Sequence, residues 1–185
     1  MYNTEAPAFP EYIDDEYHHL STIILPAFAG MQITNGPYGA VSEPGASTGE
    51  THAVSGKELN PSEFQTVVEW VIKHDVQIRA LLFPALVEQY WEMRELVIEC
   101  LDNEDPDEVV PEINKPEDLL PLCGLVALHV GGIGSNGEPR FGIELGCNWE
   151  EEHGAGVRFL GLKVVESSDA SEAFSWHGSE PACFR

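Results

Sequence analysis

Basic side chains are scarce in this chain: nine Lys and Arg stand against 32 Asp and Glu, leaving a formal net charge of −23 at pH 7 over 185 residues. A field of that sign repels nucleic-acid phosphates and anionic lipid while drawing in basic partners. Direct binding to DNA, RNA or an acidic membrane surface is therefore disfavoured. The same charge also serves solubility and carries no information about fold. Long apolar runs are missing as well. None reaches the roughly 18 residues that span a bilayer, and residues 1–19 lack the basic start and apolar centre of a secretory leader. The expected compartment is the cytoplasm. Cysteine is limited to Cys100, Cys123, Cys147 and Cys183, widely spaced and without a C-x-x-C pair, which argues against a zinc knuckle and a compact disulfide framework. Reduced thiols are expected, with the first three packed in the core.

Catalytic motifs are missing too. There is no G-x-S-x-G elbow, no H-E-x-x-H pair and no cysteine-centred signature. The run Gly131-Gly132-Ile133-Gly134 follows a strand pattern without opening a helix or supplying a nearby Lys, so it reads as a hairpin turn and not as a phosphate cradle. No cofactor is expected, and no internal repeat or low-complexity tract is seen.

What is present is enough for one core, since 43% of the residues are apolar. Residues 1–19, with Pro7, Pro10 and an acidic patch, read as an arm or strap, and residues 20–185 as a single domain. Residues 20–28 carry a strand pattern, and residues 31–42 a second, broken by Asn35, Gly36, Pro37 and Gly39; a short strand is expected near Ala53 and Val54. Asn60 is placed to cap a helix, with Pro61 at its first position and Glu63 at its third. Phe64, Val67, Val68, Val71 and Ile72 then recur at three- and four-residue spacing. The apolar pattern continues from Leu81 to Leu101 across Pro84, where a kink or break is expected because proline lacks an amide hydrogen. Trp70 and Trp91 read as core or helix-packing residues, while Trp176 either anchors the tail or faces a partner. A short helical turn over residues 118–122 and a meander of strands over residues 125–166 complete the reading, with Phe141, Ile143, Leu145 and Cys147 alternating onto one face. The expected class is α+β: an antiparallel sheet with a helical pair, kinked or broken near Pro84, packed on one face.

The candidate site is the acidic turn expected between two of those strands. Glu150, Glu151, Glu152 and His153 offer carboxylates and an imidazole, the usual metal ligands and proton carriers, but neighbouring strand residues face opposite ways and converge poorly on one ion. A structural reading has Trp149 in the core, with Gly154 and Gly156 permitting a tight or bulged turn that displays the acids. His18 and His19, beside Asp14, Asp15 and Glu16, form a second and weaker ligand set.

Residues 149–157, Trp-Glu-Glu-Glu-His-Gly-Ala-Gly-Val, resemble the W-D-E-E-H-G-x-G-V signature of a family of uncharacterised, mostly bacterial domains. Val164-Val165-Glu166, Ala173-Phe174 and the lead-in Pro-Glu-Asp-Leu-Leu-Pro-Leu-Cys-Gly-Leu at 116–125 fit the same pattern, so the resemblance covers about residues 115–175. Glu150 stands where Asp is usual, and Ala155 where a larger apolar residue is typical. The resemblance implies an interaction protein of toxin and immunity neighbourhoods, without catalytic residues. With the charge, it leads to an immunity-type protein that neutralises a cognate, basic toxin domain. The expected contacts are Asp14, Asp15, Glu16, Glu104, Asp105, Asp107, Glu108, Glu150, Glu151 and Glu152. The alternative is a small metal-dependent enzyme or metal-binding protein using Glu150, Glu152 and His153.

Overall fold

Alternating apolar residues build one large sheet, and two helices cover one of its faces. The computed structural model describes residues 12–14, 18–34, 41–43, 47–101 and 105–176. The strands are β1 (Tyr12–Asp14), β2 (His18–Ile24), β3 (Ile33–Thr34), β4 (Val41–Glu43), β5 (Glu50–Gly56), β6 (Cys123–Ile133), β7 (Pro139–Cys147), β8 (Glu150–Leu160) and β9 (Lys163–Ser168). Seven of them form a sheet in the order β1-β2-β5-β6-β7-β8-β9, and β3 pairs with β4 separately. The class is α+β, as expected. One pairing departs from the antiparallel pattern: β5 and β6 run parallel, with His52, Ala53 and Val54 opposite Ala127, Leu128 and His129. A parallel pair cannot be joined by a hairpin, so the chain between them crosses over through the helices. β2 begins at His18, so the boundary drawn at residue 19 falls inside a strand.

Helix α1 (Pro61–Lys73) starts where its capping residue dictates, with Asn60 Oδ1 accepting the Ser62 amide at 2.9 Å. Its stripe of Phe64, Val67, Val68 and Val71 is buried. Glu63, at the third position, reaches out of the helix and accepts the amide of Ile133 on β6 at 2.5 Å. α1 ends at His74, and α2 (Asp75–Cys100) follows directly. The break in the helical region therefore lies at His74 and not at Pro84, through which α2 runs without interruption. An interior proline costs a helix about 3 kcal/mol. Here Pro84 and Ala80, whose carbonyl loses its amide partner, are both exposed, so water can hydrate that carbonyl. The flanking Ile78, Leu82, Phe83, Leu86 and Tyr90 are buried and hold both halves on the core. Asp75 locks the helix junction to the sheet side by accepting the amide of Ala27 at 2.8 Å.

The face under the helices carries Leu128 and Val130 of β6, Phe141, Ile143 and Leu145 of β7, and Val157 and Phe159 of β8. Phe141 and Phe159 stack with ring centroids 5.0 Å apart. Trp149 closes the end of this core, edge-on to Tyr90 at 5.3 Å. Two expectations of burial fail. Cys100 is exposed because it is the last residue of α2, beyond the reach of the core; Cys123 and Cys147 are buried opposite one another. Trp91 is also exposed, on the outer side of α2, with the Arg94 guanidinium 5.5 Å from its ring. Among the described residues no helix is long and apolar enough to cross a membrane.

This orientation of α2 predicts a contrast. Leu82→Ala, at a fully buried site, lowers the stability measured by urea unfolding by about 2–5 kcal/mol. Leu96→Ala, at a site 55% exposed, changes it by less than about 0.5 kcal/mol. Equal effects would contradict the packing.

Candidate functional site

The acidic run does not form a turn. Asn148 and Trp149 make the reversal, and Glu150, Glu151, Glu152 and His153 already belong to β8. Pairing with β7 puts Leu145 opposite Ala155 and Cys147 opposite Glu150, so residues 151–154 bulge out opposite the single residue Gly146. A bulge frees side chains from strict alternation, which is why Glu151, Glu152 and His153 are all exposed together. Gly154 ends the bulge with φ +62°, where a Cβ would lie 2.5 Å from the carbonyl oxygen of Leu145. Glu150 turns back and holds the loop, its Oε1 accepting the His153 amide at 3.2 Å and lying 3.2 Å from His153 Nδ1. Gly156 lies beyond the bulge in regular pairing with Glu144.

A second acidic segment, short helix α3 (Pro106–Val109), lies near the same end of the molecule. Asp105 caps it through the Asp107 amide at 3.0 Å, and Asp107 faces Arg94 of α2 at 3.6 Å. Arg94 Nε donates to the carbonyl of Val110 at 2.9 Å, and the Tyr90 hydroxyl donates to that of Pro111. Burial raises the Tyr90 pKa, an effect partly opposed by Arg94. Glu150 in turn lines a hollow with Gln89, Glu92 and Met93. The second half of α2 thus meets α3 through Arg94 and Asp107, lies beside Glu150, and adds its own exposed Glu88, Glu92, Glu95 and Glu99, which the sequence reading did not single out; Glu151 and Glu152 line a separate hollow with Glu144 and Phe174. Asp14 is not part of this end: β1 is the opposite edge of the sheet from β8 and β9. Asp15, Glu16 and Glu104 lie outside the described residues. Among the described residues no three His, Cys, Asp or Glu side chains gather as metal ligands, so Glu150, Glu152 and His153 do not converge on an ion site. His19 turns toward α1 and hydrogen-bonds the carbonyl of Leu59 at 2.9 Å, whereas the adjacent His18 lines a cleft near β5 and β6.

The sheet face away from the helices holds a feature the sequence concealed. A strap, the 3-10 turn Ala170–Phe174 with Ser175 and Trp176, crosses β8, β7 and β6 over three glycines. A Cβ on Gly156 would lie 2.5 Å from the Asp169 carbonyl oxygen, one on Gly142 2.6 Å from Ala173 Cα, and one on Gly131 2.7 Å from the Trp176 ring. Gly131 therefore lies within β6 under the strap, and the turn begins only at Gly134. Arg158 fastens the strap: a guanidinium nitrogen lies 2.8 Å from Glu172 Oε1, and another donates to the carbonyl of Ser175. Beneath it, His129 Nε2 and Glu144 Oε2 are hydrogen-bonded at 2.6 Å, and the Phe174 ring sits 4.9 Å from the imidazole.

This arrangement offers an oriented imidazole, beside which covalent chemistry would need a nucleophile. The buried thiols are unsuited to the part, since burial pushes Cys147 up to about 12 and Cys123 well above its usual value.

Fold and surface together describe an α+β domain with a strapped sheet face and an acidic end. The chain belongs to a family described as a domain of unknown function (DUF6985), whose pattern matches residues 49–174, from the end of the loop before β5 to the strap. The match is wider than the 115–175 region and takes in both long helices. Neither a curated protein nor a solved structure matches the chain significantly.

The strap carries two carboxylates of opposite behaviour. Hydrogen bonds from the Ser171 hydroxyl and amide hold Asp169 below its ordinary 3.8, so its stabilisation is present above that pH and is lost as pH falls through the lowered value. Burial raises Glu172 above 4.5 and outweighs Arg158, whose contact lies off the donor direction. The folded chain thus holds a proton that the unfolded chain has released, and stability falls as pH rises from 4.5 through the raised value. Thermal melts across acidic pH should show Asp169→Asn flattening the acid-side loss and Glu172→Gln flattening the loss above 4.5. Wild-type profiles in both variants would contradict the strap's electrostatics.

Proposed function

We propose that this protein is a cytoplasmic, non-catalytic binding module that engages a basic protein domain through its acidic end. The observation that supports it is the set of exposed carboxylates that α3, the second half of α2 and the β8 bulge display, in a chain already carrying a net charge of −23. Arg94, a cation at the centre of this end, is engaged by the Val110 carbonyl and Asp107 and offers the surface little neutralisation. Opposite fields speed encounter and fix orientation, and salt screens them beyond about 10 Å at ordinary ionic strength. The finer reading is an immunity-type protein whose acidic surface covers the basic active-site cleft of a cognate toxin. That reading draws on the signature at residues 149–157 and on the charge. The exposed acids of the bulge suit the task because strand pairing holds its two ends.

The test is affinity capture from the native host at low and moderate salt, followed by association kinetics on the captured domain. The expected partner is basic and stoichiometric, associates more slowly as salt rises, and is lost by the triple variant Asp107→Lys, Glu151→Lys, Glu152→Lys. Undiminished binding by that variant would overturn the electrostatic reading.

A further inference from the structure

We propose that a cleft at the carboxyl ends of the parallel strands β5 and β6 binds a small organic anion with an apolar or aromatic body. The cleft has a volume of about 630 Å³, within the range of small-molecule sites. Its position follows from topology. Where parallel strands diverge into a crossover, their carboxyl ends leave a crevice between the chain segments that depart from them, and here β5 leaves through Glu58 and Leu59 toward α1 while β6 leaves through its bulge.

The lining lacks the acidic excess of the rest of the molecule. Arg140, His129 and His18 face the cleft against the single carboxylate of Glu58. Arg140 is held in place by donating from Nη2 to the carbonyl of Gly131 at 2.9 Å, and its buried Nε has no hydrogen-bond partner among the described residues. The Gly131 carbonyl takes one N–H of the outer guanidinium nitrogens, so it is their remaining donors, and not the sealed Nε, that are left to meet a ligand. A carboxylate or sulfonate is the natural complement of such a fork. His129 is oriented by Glu144, which itself lines the neighbouring hollow and not this cleft. The apolar part of the wall comes from Val54 on the sheet and from Phe174 and Trp176 of the strap. Trp176 reaches the wall because Gly131 has no side chain, which gives the strap a purpose beyond covering the sheet.

Isothermal titration of the intact protein with 1-anilinonaphthalene-8-sulfonate, which joins one anionic group to an aromatic body, tests the proposal. Saturable binding of one equivalent is expected, displaced by benzoate and not by benzyl alcohol. Arg140→Gln should weaken it by about tenfold or more, and Arg140→Lys less. Val54→Phe should block the site without changing charge, and Lys73→Gln, which removes a positive charge elsewhere, should leave binding intact. Circular dichroism establishes that each variant is folded. Absence of saturable binding, equal displacement by the neutral alcohol, or undiminished affinity in both Arg140→Gln and Val54→Phe would overturn the proposal. None of the acidic-end residues lines the cleft, so either reading can fail without the other.

Discussion

The outer sheet face is organised by the absence of three side chains. Gly156, Gly142 and Gly131 sit on adjacent strands β8, β7 and β6, and the strap presses so closely on them that a single methyl group on Gly142 would enter the backbone of Ala173. This contact lets Arg158 meet Glu172, places Phe174 over the His129–Glu144 pair, and lays Trp176 along β6. The strap then divides the face: His129, Arg140 and Trp176 line one hollow, while Glu144, Glu151 and His153 line another, with Phe174 between them on both walls. Two surfaces of opposite chemical character arise from one steric constraint.

On the helical side, α2 plays the comparable part. Its first half is held in the core through Ile78, Leu82 and Leu86, and its second half extends past the packed sheet to meet Trp149 through Tyr90 and α3 through Arg94. Asp107 of α3 and Glu150 at the foot of the β8 bulge are distant in sequence, yet both lie beside this one helix. Burying Trp149 and displaying the three residues after Glu150 are connected: the ring anchors the reversal, and the bulge absorbs the extra chain.

Much of this was legible in the residues. The Asn60-Pro61 start, the apolar stripe of α1 and the alternation through β7 rest on local chemistry, and each has the expected type. The parallel join of β5 to β6 was not legible, because the alternating pattern of a strand does not name its partner. Pro84 makes no break for a related reason: its cost is local, whereas the burial that offsets it is tertiary. Of the acids singled out, Asp105, Asp107, Glu108, Glu151 and Glu152 are exposed and Glu150 is half-buried, and the joint exposure of Glu151 and Glu152 depends on a bulge that has no local signature. Three glycines separated by 11 and 14 positions become neighbours only once the strands pair, although a Gly at an interior strand position is a recognisable sign of close backbone approach.

The most direct test is the solution structure of Gly142→Ala, followed through the Phe174 and His129 ring signals and the amide exchange of residues 170–176. Detachment of the strap, with loss of the ring contact and faster exchange while the helix-side core stays folded, is the predicted result. An unchanged ring contact with unchanged exchange would show that the glycines do not hold the strap, and the account of the outer face would be wrong.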